Sequence, residues 1–406
     1  MPDTSALKLD STGEAGKTGL GIILAARIVL HVPLRLGNFF LPAIARGLGV
    51  PLSAGGLLLS SSSLMGVVAP LFGGLSDRSG GRRVMVFGVG MLAAGAFLMA
   101  SFPWYGTALV AFGLMGLAKM AFDPAMQVFV GQRVPYERRG RTLGLAELAW
   151  SMALLAMPLC GWLIEVVGWR VPFLLVGIAA IPTWWLTRRA LPTDVVSGGE
   201  VRGQASDLKE ALASLANDLQ GVWRDRQSRL ALTTMALMAF AQVNVMVVYG
   251  AWMEDAFGLS VTTLGVATVV IGAAELVAEL AVSVISDRFG KRRSVFVSAI
   301  LTGMAYLALP RLTGSLGVGL VGSAVMIFFF EFTIVGLIPL VSGMNAESRG
   351  TLMSSAWAGM SASRVVAAPI GVALYGAGDI RLNGLVSAVA CAALSLVLLA
   401  LRERGH

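Results

Sequence analysis

Apolar residues fill most of the chain in long runs, and short polar stretches separate these runs. The runs hold about 18 to 25 residues, and a helix of that length crosses the roughly 30 Å of hydrocarbon in a bilayer. The pattern predicts twelve such spans, at residues 20–44, 53–75, 84–102, 105–131, 142–165, 170–188, 230–255, 261–285, 295–310, 314–341, 351–376 and 382–401. We therefore predict an all-α membrane protein with twelve transmembrane helices.

Composition argues against a soluble protein and against an enzyme. Charged residues make up 13% of the chain and the mean hydropathy is +0.78, whereas a soluble domain has about 25% charged residues. The two cysteines, Cys160 and Cys391, lie in apolar runs, and the two histidines are His31 and His406. We expect no disulfide framework, no metal site, no cofactor and no catalytic residue set. The sequence contains no nucleotide-binding loop of the glycine–lysine–serine type, so we do not expect ATP to drive the protein.

Positive charge is distributed unevenly between the two sides of the predicted membrane. If the N-terminus is cytoplasmic, the inner segments hold 23 of the 31 lysines and arginines, and the outer loops hold only Arg46, Arg170, Arg311 and Arg381. Because cytoplasmic loops are enriched in lysine and arginine, this bias predicts that both termini are cytoplasmic. Topology thereby explains the net charge of +8, and we do not expect nucleic acid as a partner.

Polar stretches divide the chain into four predicted parts. These are a cytoplasmic tail at 1–19, a six-helix bundle at 20–189, a cytoplasmic linker at 190–229 and a second six-helix bundle at 230–402. Within the linker, apolar residues recur every three or four positions from 208 to 222, as they do along one face of a helix. That helix either latches the two bundles together or only covers their inner faces.

The two predicted bundles are related by an internal repeat. Three pairs of landmarks keep nearly one spacing, with Asp77 and Asp287 210 residues apart, Glu137 and Glu347 also 210 apart, and Pro158 and Pro369 211 apart. A constant spacing over most of a chain indicates duplicated structural units. Duplicated six-helix units place a substrate site between them near the middle of the membrane.

The segment after the second predicted span reads Gly-x-x-x-Asp-Arg-x-Gly-x-Arg-Arg, and it resembles the signature of the major facilitator superfamily with one residue shifted in its basic tail. A weaker copy follows the eighth span. The residues at these positions are Gly73, Asp77, Arg78, Gly80, Arg82 and Arg83 in the first copy and Asp287 and Arg288 in the second. The resemblance implies two pseudo-symmetric bundles that open alternately to each side. It also implies that the signature residues bridge cytoplasmic helix ends in one state and act as a conformational gate.

Two further motifs resemble, in part, those of twelve-helix proton-coupled exporters of drugs and small molecules. In the fourth span, Lys119 lies near an arginine position of that family, and Asp123 and Pro124 interrupt the small residues that usually follow. In the fifth span, Pro158 and Gly161 remain from a Gly-Pro-x-x-Gly-Gly motif. We expect export on the basis of this partial motif, with import as the alternative.

Ionisable side chains inside spans are candidate functional residues, because each costs at least about 2.5–3.5 kcal/mol on insertion scales. Glu275 and Glu279 share one helix face, and the resemblance places Glu331 on a neighbouring helix. Carboxylates that lie close together in a low dielectric can exchange a coupling proton; alternatively, this trio holds a cationic substrate or pairs with Arg364. The proton-coupling candidates are Glu275, Glu279, Glu331, Asp123 and Glu147.

Cations and neutral polar groups in the spans are candidate substrate contacts. Arg27, His31 and Arg35 recur every four residues on one face of the first span, and the spacing of Lys119 and Asp123 permits an internal ion pair. We also expect that Arg27 and Glu147 lie near enough to the inner surface to snorkel. The candidate contacts are Arg27, His31, Arg35, Lys119, Asp123, Gln242, Asn244, Tyr249 and Arg364.

The leading hypothesis is a proton-coupled secondary transporter in a bacterial inner membrane, which acts as a monomer. Its cavity has a basic first half and an acidic second half, so we expect a small amphiphilic, zwitterionic or anionic organic substrate. The alternatives are a uniporter or importer, a carrier of lysolipid-like amphiphiles, and a non-transporting assembly factor or sensor of the same fold. The only expected partners are the substrate, protons and the lipid bilayer.

Overall fold

The computed structural model describes residues 14–69, 72, 75, 76, 79–134, 136–192, 224–342, 344 and 349–401. In this part of the chain all regular structure is helical. We call residues 14–192 the first half and residues 224–401 the second half. The linker helix predicted between 208 and 222, and the signature residues Gly73, Asp77 and Arg78, lie outside the described residues.

Among the described residues, six of the thirteen α-helices are uninterrupted and longer than 20 residues, and the others are shorter or bent. The first half contains α1 (Glu14–Phe39), α2 (Leu41–Leu48), α3 (Leu52–Leu64), α4 (Gly81–Ser101), α5 (Tyr105–Arg133), α6 (Tyr136–Met152), α7 (Met157–Val166) and α8 (Arg170–Arg189). The second half contains α9 (Arg226–Phe257), α10 (Val261–Phe289), α11 (Lys291–Ala308), α12 (Leu316–Ser342) and α13 (Arg349–Ala400). A 3-10 turn, Ala153–Ala156, joins α6 to α7.

Twelve membrane crossings account for these helices. Ten stretches among the described residues are long and apolar enough to cross a membrane, and the bent pair of α2 with α3 makes an eleventh. The helix α13 has 52 residues, about 78 Å at 1.5 Å per residue, which is enough for two crossings. Its path leaves helical geometry at Gly378 and Asp379, between the predicted eleventh and twelfth spans. The predicted all-α fold is therefore confirmed.

The predicted end of the first span is wrong. The prediction extended this span to residue 44, but α1 ends at Phe39 and the chain continues as the short helix α2. The axes of α2 and α3 then differ by 111°. An added Cβ at Gly250 of α9 would collide with the carbonyl oxygen of Phe39, so tertiary contact fixes the position of the chain where α1 ends. A hydropathy pattern contains no information about such a contact.

The internal repeat extends to backbone geometry. Gly80 has φ 93° and ψ 139°, and Gly290, 210 residues later, has φ 85° and ψ 136°. Both dihedral pairs lie where side chains are disfavoured, which explains glycine at both positions. Each glycine N–H donates to the carbonyl of a serine four residues earlier, Ser76 at 2.9 Å and Ser286 at 3.1 Å. The two copies thus form the same turn.

An arginine two residues after each of these glycines binds the end of a later helix in its own half. Arg82 Nη1 donates to the carbonyl of Leu191 at 3.0 Å, just beyond the end of α8. Arg292 Nη2 donates to the carbonyls of Leu398 at 3.0 Å and Leu399 at 2.9 Å, in the last turn of α13. The last carbonyls of a helix lack intrahelical partners, so these arginines cap the helices. The gating role of the signature stays a prediction.

Close contacts join the two halves at the predicted outer ends of their helices. Arg46, beyond α1, forms a bidentate ion pair with Glu254 at the end of α9, with N–O distances of 2.7 and 3.1 Å. Glu165 in α7 accepts a 2.8 Å hydrogen bond from the backbone N–H of Thr262, at the start of α10. Where α7 crosses α10, glycines bring the two backbones together. The described structure is therefore closed at this end.

A buried amide network fixes α9 against the two parts of α13. Asn383 Nδ2 donates to the carbonyls of Asn244 and Gly371, both at 2.7 Å. Asn244 Nδ2 donates in return to the carbonyl of Asn383 at 3.0 Å and to Ser387 Oγ at 2.9 Å. Gly371 permits the approach, because a Cβ there would lie 2.6 Å from the Asn244 carbonyl oxygen.

Asn383→Leu is expected to lower the free energy of unfolding by about 1–2 kcal/mol, because it removes these donors in a setting without water. Thermal unfolding in detergent measures the change. Ser395→Ala is the matched control, since Ser395 is buried in the same helix but bonds only to the Cys391 carbonyl one turn earlier. An equal loss in both variants would contradict a stabilising role for the network.

Candidate functional site

A buried ion pair joins Arg35 of α1 to Glu275 of α10 across the two halves. Arg35 Nη1 donates to Glu275 Oε1 at 3.0 Å, and Nη2 donates to Oε2. The two side chains are 2% and 1% exposed. Glu275 lies 14 residues beyond Val261, about 21 Å along α10, so the pair lies within the hydrocarbon region. Two parallel N–H···O bonds are the strong form of this interaction.

Trp150 of α6 fixes the free face of the Arg35 guanidinium. The Arg35 Cζ atom lies 3.8 Å from the centroid of the Trp150 ring, which is a cation–π contact. Arg35 Nη2 also donates to the Trp150 carbonyl at 3.3 Å. Trp150 is in the last turn of α6, where carbonyls are free to accept bonds from outside the helix. Arg35 is therefore held on one face by α6 and at its fork by α10.

A second charge cluster lies within the first half and is internally balanced. Lys119 Nζ is 2.6 Å from Asp123 Oδ2, which is the predicted ion pair one helical turn apart on α5. Arg27 Nε is 3.3 Å from Asp123 Oδ1, and Arg27 Nη2 donates to Glu147 Oε2 at 3.0 Å. The Arg27 side chain is only 3% exposed, so the expectation that it snorkels is wrong. Glu147 is 53% exposed, so this cluster borders accessible space.

His31 lies between the two charge clusters. It is 1% exposed, and neither ring nitrogen has a hydrogen-bond partner among the described residues. Its ring meets the Trp150 ring edge-on, with centroids 5.0 Å apart. Trp150 therefore contacts both Arg35 and His31, one helical turn apart on α1. The sequence contains no signal for these contacts of Trp150, because nothing in a single sequence pairs an aromatic ring with a cation on another helix.

Two further carboxylates lie close to Glu275 without a cation of their own. Glu279 follows it by one turn on α10, and Glu331 of α12 is within electrostatic range of Glu275, Glu279 and Arg35. Arg364 of α13 is within electrostatic range of Glu331. No ion pair closer than 4.0 Å joins Glu279 or Glu331 to a described cation. The predicted carboxylate trio is therefore assembled, but its member Glu275 pairs with Arg35 rather than with Arg364.

The three neutral candidates all lie on α9. Asn244 is fully buried in the amide network described above. Tyr249 is also fully buried, and its ring contacts Phe39 and Trp252 with centroids 5.9 Å apart in both cases. Gln242 is half-buried. The structure places Asn244 and Tyr249 in packing positions, and their role as substrate contacts stays a prediction.

Sequence reasoning missed the outer ion pair of Arg46 and Glu254, although the sequence contains a signal for it. The two positions are 208 residues apart, close to the repeat spacing of 210. Equivalent positions in two repeated halves meet when they lie near the pseudo-symmetry axis. Opposite charges at equivalent outer ends therefore predict a contact. The pair of Arg35 with Glu275 has a separation of 240 residues and carries no such signal.

Comparisons with known proteins agree with this architecture. The family profile described as Major Facilitator Superfamily matches residues 24–242 and again residues 230–406. An uncharacterized MFS-type transporter of Bacillus subtilis (strain 168), YwfA, is 23% identical over 366 residues, which are 88% of this chain and 84% of that protein. The citrate-proton symporter of Salmonella typhi is 24% identical over 261 residues, which are 60% of this chain and 56% of that protein.

A solved structure shares the fold. The crystal structure of a mutant of the nucleoside transporter NupG superposes with a TM-score of 0.75 and 13% sequence identity. The superposition covers 95% of this chain and 99% of that one. The chain is thus an integral, multi-pass membrane protein and a transporter rather than an enzyme, and it belongs to the major facilitator superfamily.

Proposed function

We propose that the protein is a proton-coupled secondary transporter that moves a small anionic, zwitterionic or amphiphilic organic molecule by alternating access. The buried ion pair of Arg35 with Glu275 carries this proposal, because it joins the two halves beside further carboxylates. A bond between the halves changes whenever they rock against each other. Substrate and protons that act on this bond therefore act on the conformational equilibrium.

Alternating access is supported by the contacts at the outer ends. The Arg46–Glu254 ion pair and the bond from Thr262 to Glu165 both cross between the halves. Opening toward the outside must break both, and opening toward the inside can leave both intact. These contacts therefore belong to one state of a two-state equilibrium.

Proton coupling is supported by the charge count around Glu275. Arg35 and Arg364 supply two positive charges, against three negative charges on Glu275, Glu279 and Glu331. Uncompensated charge inside a membrane is costly, and binding one proton brings the group to neutrality. A group that is neutral only with a proton is suited to carrying that proton across.

Two directions follow from different observations. The partial fifth-span motif with Pro158 and Gly161 favours export. The relationship to a citrate-proton symporter favours uptake together with protons. Export against an inward proton gradient requires that proton and substrate bind in alternation, whereas uptake requires that they bind together.

Proton flux in proteoliposomes tests the proposal. Amphiphilic cations, anions and zwitterions are added to vesicles with a trapped pH dye, first with the wild type and then with Glu279→Gln and Glu331→Gln. We expect substrate-triggered proton movement that falls at least about tenfold in one of these variants. Asp379→Asn is the control, because Asp379 lies on the outer turn at φ 65°, a conformation that asparagine also tolerates.

Each other outcome has a definite meaning. Substrate counterflow without a proton signal would keep the transporter and remove proton coupling. Silence across the panel, from protein shown to be folded, would favour the non-transporting assembly factor or sensor. An equal loss of proton movement in Asp379→Asn would show that the effect does not come from the central carboxylates.

A further inference from the structure

We infer that the substrate carries a carboxylate, and that this carboxylate replaces Glu275 on Arg35. This inference rests on the proposed function and names the chemistry of its substrate. It starts from the fact that Glu275 uses both carboxylate oxygens to occupy the guanidinium fork of Arg35. That fork matches any carboxylate with the same planar, two-point geometry.

Arg35 is the cation whose ion pair joins the two halves at the centre of the described structure. Arg27 and Lys119 share Asp123 and Glu147 within the first half, so neither crosses to the other half. Arg35 is fixed on its face by the Trp150 ring and carbonyl, and these contacts remain when Glu275 leaves. The arginine is thus preorganised for a new anion in the position that Glu275 occupies.

The exchange conserves charge. A carboxylate of the substrate forms two N–H···O bonds to Arg35 as Glu275 gives up its two. Glu275 then takes one proton from the aqueous space that the site faces. One anion and one proton enter, so the net charge of the buried group does not change. A phosphate dianion would bring a second negative charge into a group that already has an excess of carboxylates, so the exchange selects carboxylates.

Substrate and proton therefore bind to the same state of the protein. A site of this kind performs symport, and an inward proton gradient drives uptake through it. The inference selects uptake from the two directions considered above. The same exchange removes a bond between α1 and α10, so binding also releases one of the contacts that join the two halves.

Several charged groups face the group that takes the proton. Three of them surround Glu275, namely Arg35 of α1, Glu331 of α12 and Glu279 of its own helix α10. Glu147 of α6 is within electrostatic range of Glu279. Arg364 of α13 is within electrostatic range of Glu331. The proton count of the exchange must therefore be measured on Glu275 variants and not on pH dependence alone.

Carboxylate binding to the purified full-length protein in detergent tests the exchange. The probes are acetate, benzoate and succinate, with acetamide, benzamide and inorganic phosphate as references, and binding is followed by thermal unfolding and by calorimetry between pH 6 and 8. For the wild type we expect at least one carboxylate to bind, with a Kd that rises about tenfold per pH unit because one proton is taken up. In Glu275→Gln we expect a Kd at least about tenfold lower and nearly independent of pH, because the competitor is gone.

A matched variant separates exchange from a general loosening of the two halves. Glu254→Gln also removes a bidentate carboxylate from an arginine that joins the halves, but Arg46 is 59% exposed at the outer end. We expect Glu254→Gln to bind carboxylates as the wild type does. The double variant Arg35→Gln with Glu275→Gln removes both charges together and leaves the net charge of the group unchanged, and it is expected to bind no carboxylate.

The outcomes distinguish this inference from the proposed function. Equal carboxylate affinity in the wild type and Glu275→Gln, equal gains with acetamide, gains with Glu254→Gln, or binding by the double variant would each overturn the exchange. Proton-coupled transport of amphiphilic amines alone would leave the proposed function standing and overturn the exchange. Tighter, pH-independent carboxylate binding by Glu275→Gln, with no transport in vesicles, would support the exchange site and refute the proposed function.

Discussion

Gly265→Ala is expected to reduce transport at least about tenfold while leaving the protein folded. Gly265 of α10 lies against α7 of the other half, and an added Cβ would be 2.5 Å from the carbonyl oxygen of Met157. One turn along the same crossing, a Cβ at Gly161 would be 2.6 Å from the carbonyl oxygen of Val261. Backbone atoms cannot yield as a flexible side chain does. The extra methyl group therefore prevents closure at the outer end.

The size of this effect follows from the cost of overpacking. Extra atoms in a well-packed contact cost about 1–3 kcal/mol. Because this crossing forms only when the outer end is closed, the cost falls on that state, and about 1.4 kcal/mol changes its population relative to the open state tenfold. Transport requires both states, so the turnover rate falls as the population of the closed state falls.

Two measurements check this prediction. Turnover is measured in vesicles, and the distance across the outer end is measured by spin labels at the exposed positions Ser53 and Arg381. We expect the distance distribution to shift to longer values in Gly265→Ala. Gly113→Ala is the control, because Gly113 of α5 has open space where its Cβ would stand. Normal turnover and unchanged distances in Gly265→Ala would show that the α7–α10 crossing does not govern closure.

Arg35→Gln is expected to lower the free energy of unfolding by about 3–5 kcal/mol, because it leaves the carboxylate of Glu275 buried without its cation. The double variant Arg35→Gln with Glu275→Gln is expected to regain most of this loss, since no unpaired charge remains. Arg46→Gln is expected to cost about 0–1 kcal/mol, as is usual for an exposed pair. Thermal and denaturant unfolding in one detergent compares the three. A loss in the double variant as large as in Arg35→Gln would indicate that Arg35 stabilises through Trp150 instead.

Much of the fold was predictable because crossing a membrane restricts the sequence strongly. Each span needs about 20 apolar residues, and the structure breaks α13 at Gly378 and Asp379, between the predicted spans 351–376 and 382–401. The end of α1 at Phe39 was not predictable. It depends on the contact of Gly250 with the Phe39 carbonyl, and these residues are 211 positions apart. Hydropathy reports length and polarity but not which helices touch.

The site was predictable in its members and not in its pairings. Arg35, Glu275 and Glu331 stood out because an ionisable group inside a membrane is costly and needs a compensating role. The ion pair one turn apart on α5 was predictable, since helix geometry alone brings Lys119 and Asp123 together. The partner of Arg35 depends on how α1 and α10 are rotated about their axes. A single sequence does not specify that rotation, so only Arg364 was considered as a partner for the carboxylates and the pairing of Arg35 with Glu275 was missed.

The two arginine–glutamate pairs that join the halves lie in different electrical environments. Arg46 and Glu254 meet at the predicted outer surface, where dissolved salt screens charges with a Debye length of about 8 Å at physiological ionic strength. Arg35 and Glu275 are buried, and salt reaches them little. Ionic strength on the side of the membrane that this end faces therefore weakens the ion pair of Arg46 with Glu254 and leaves the central pair intact. The lifetime of the state that is closed at this end becomes a function of the salinity on that side of the membrane.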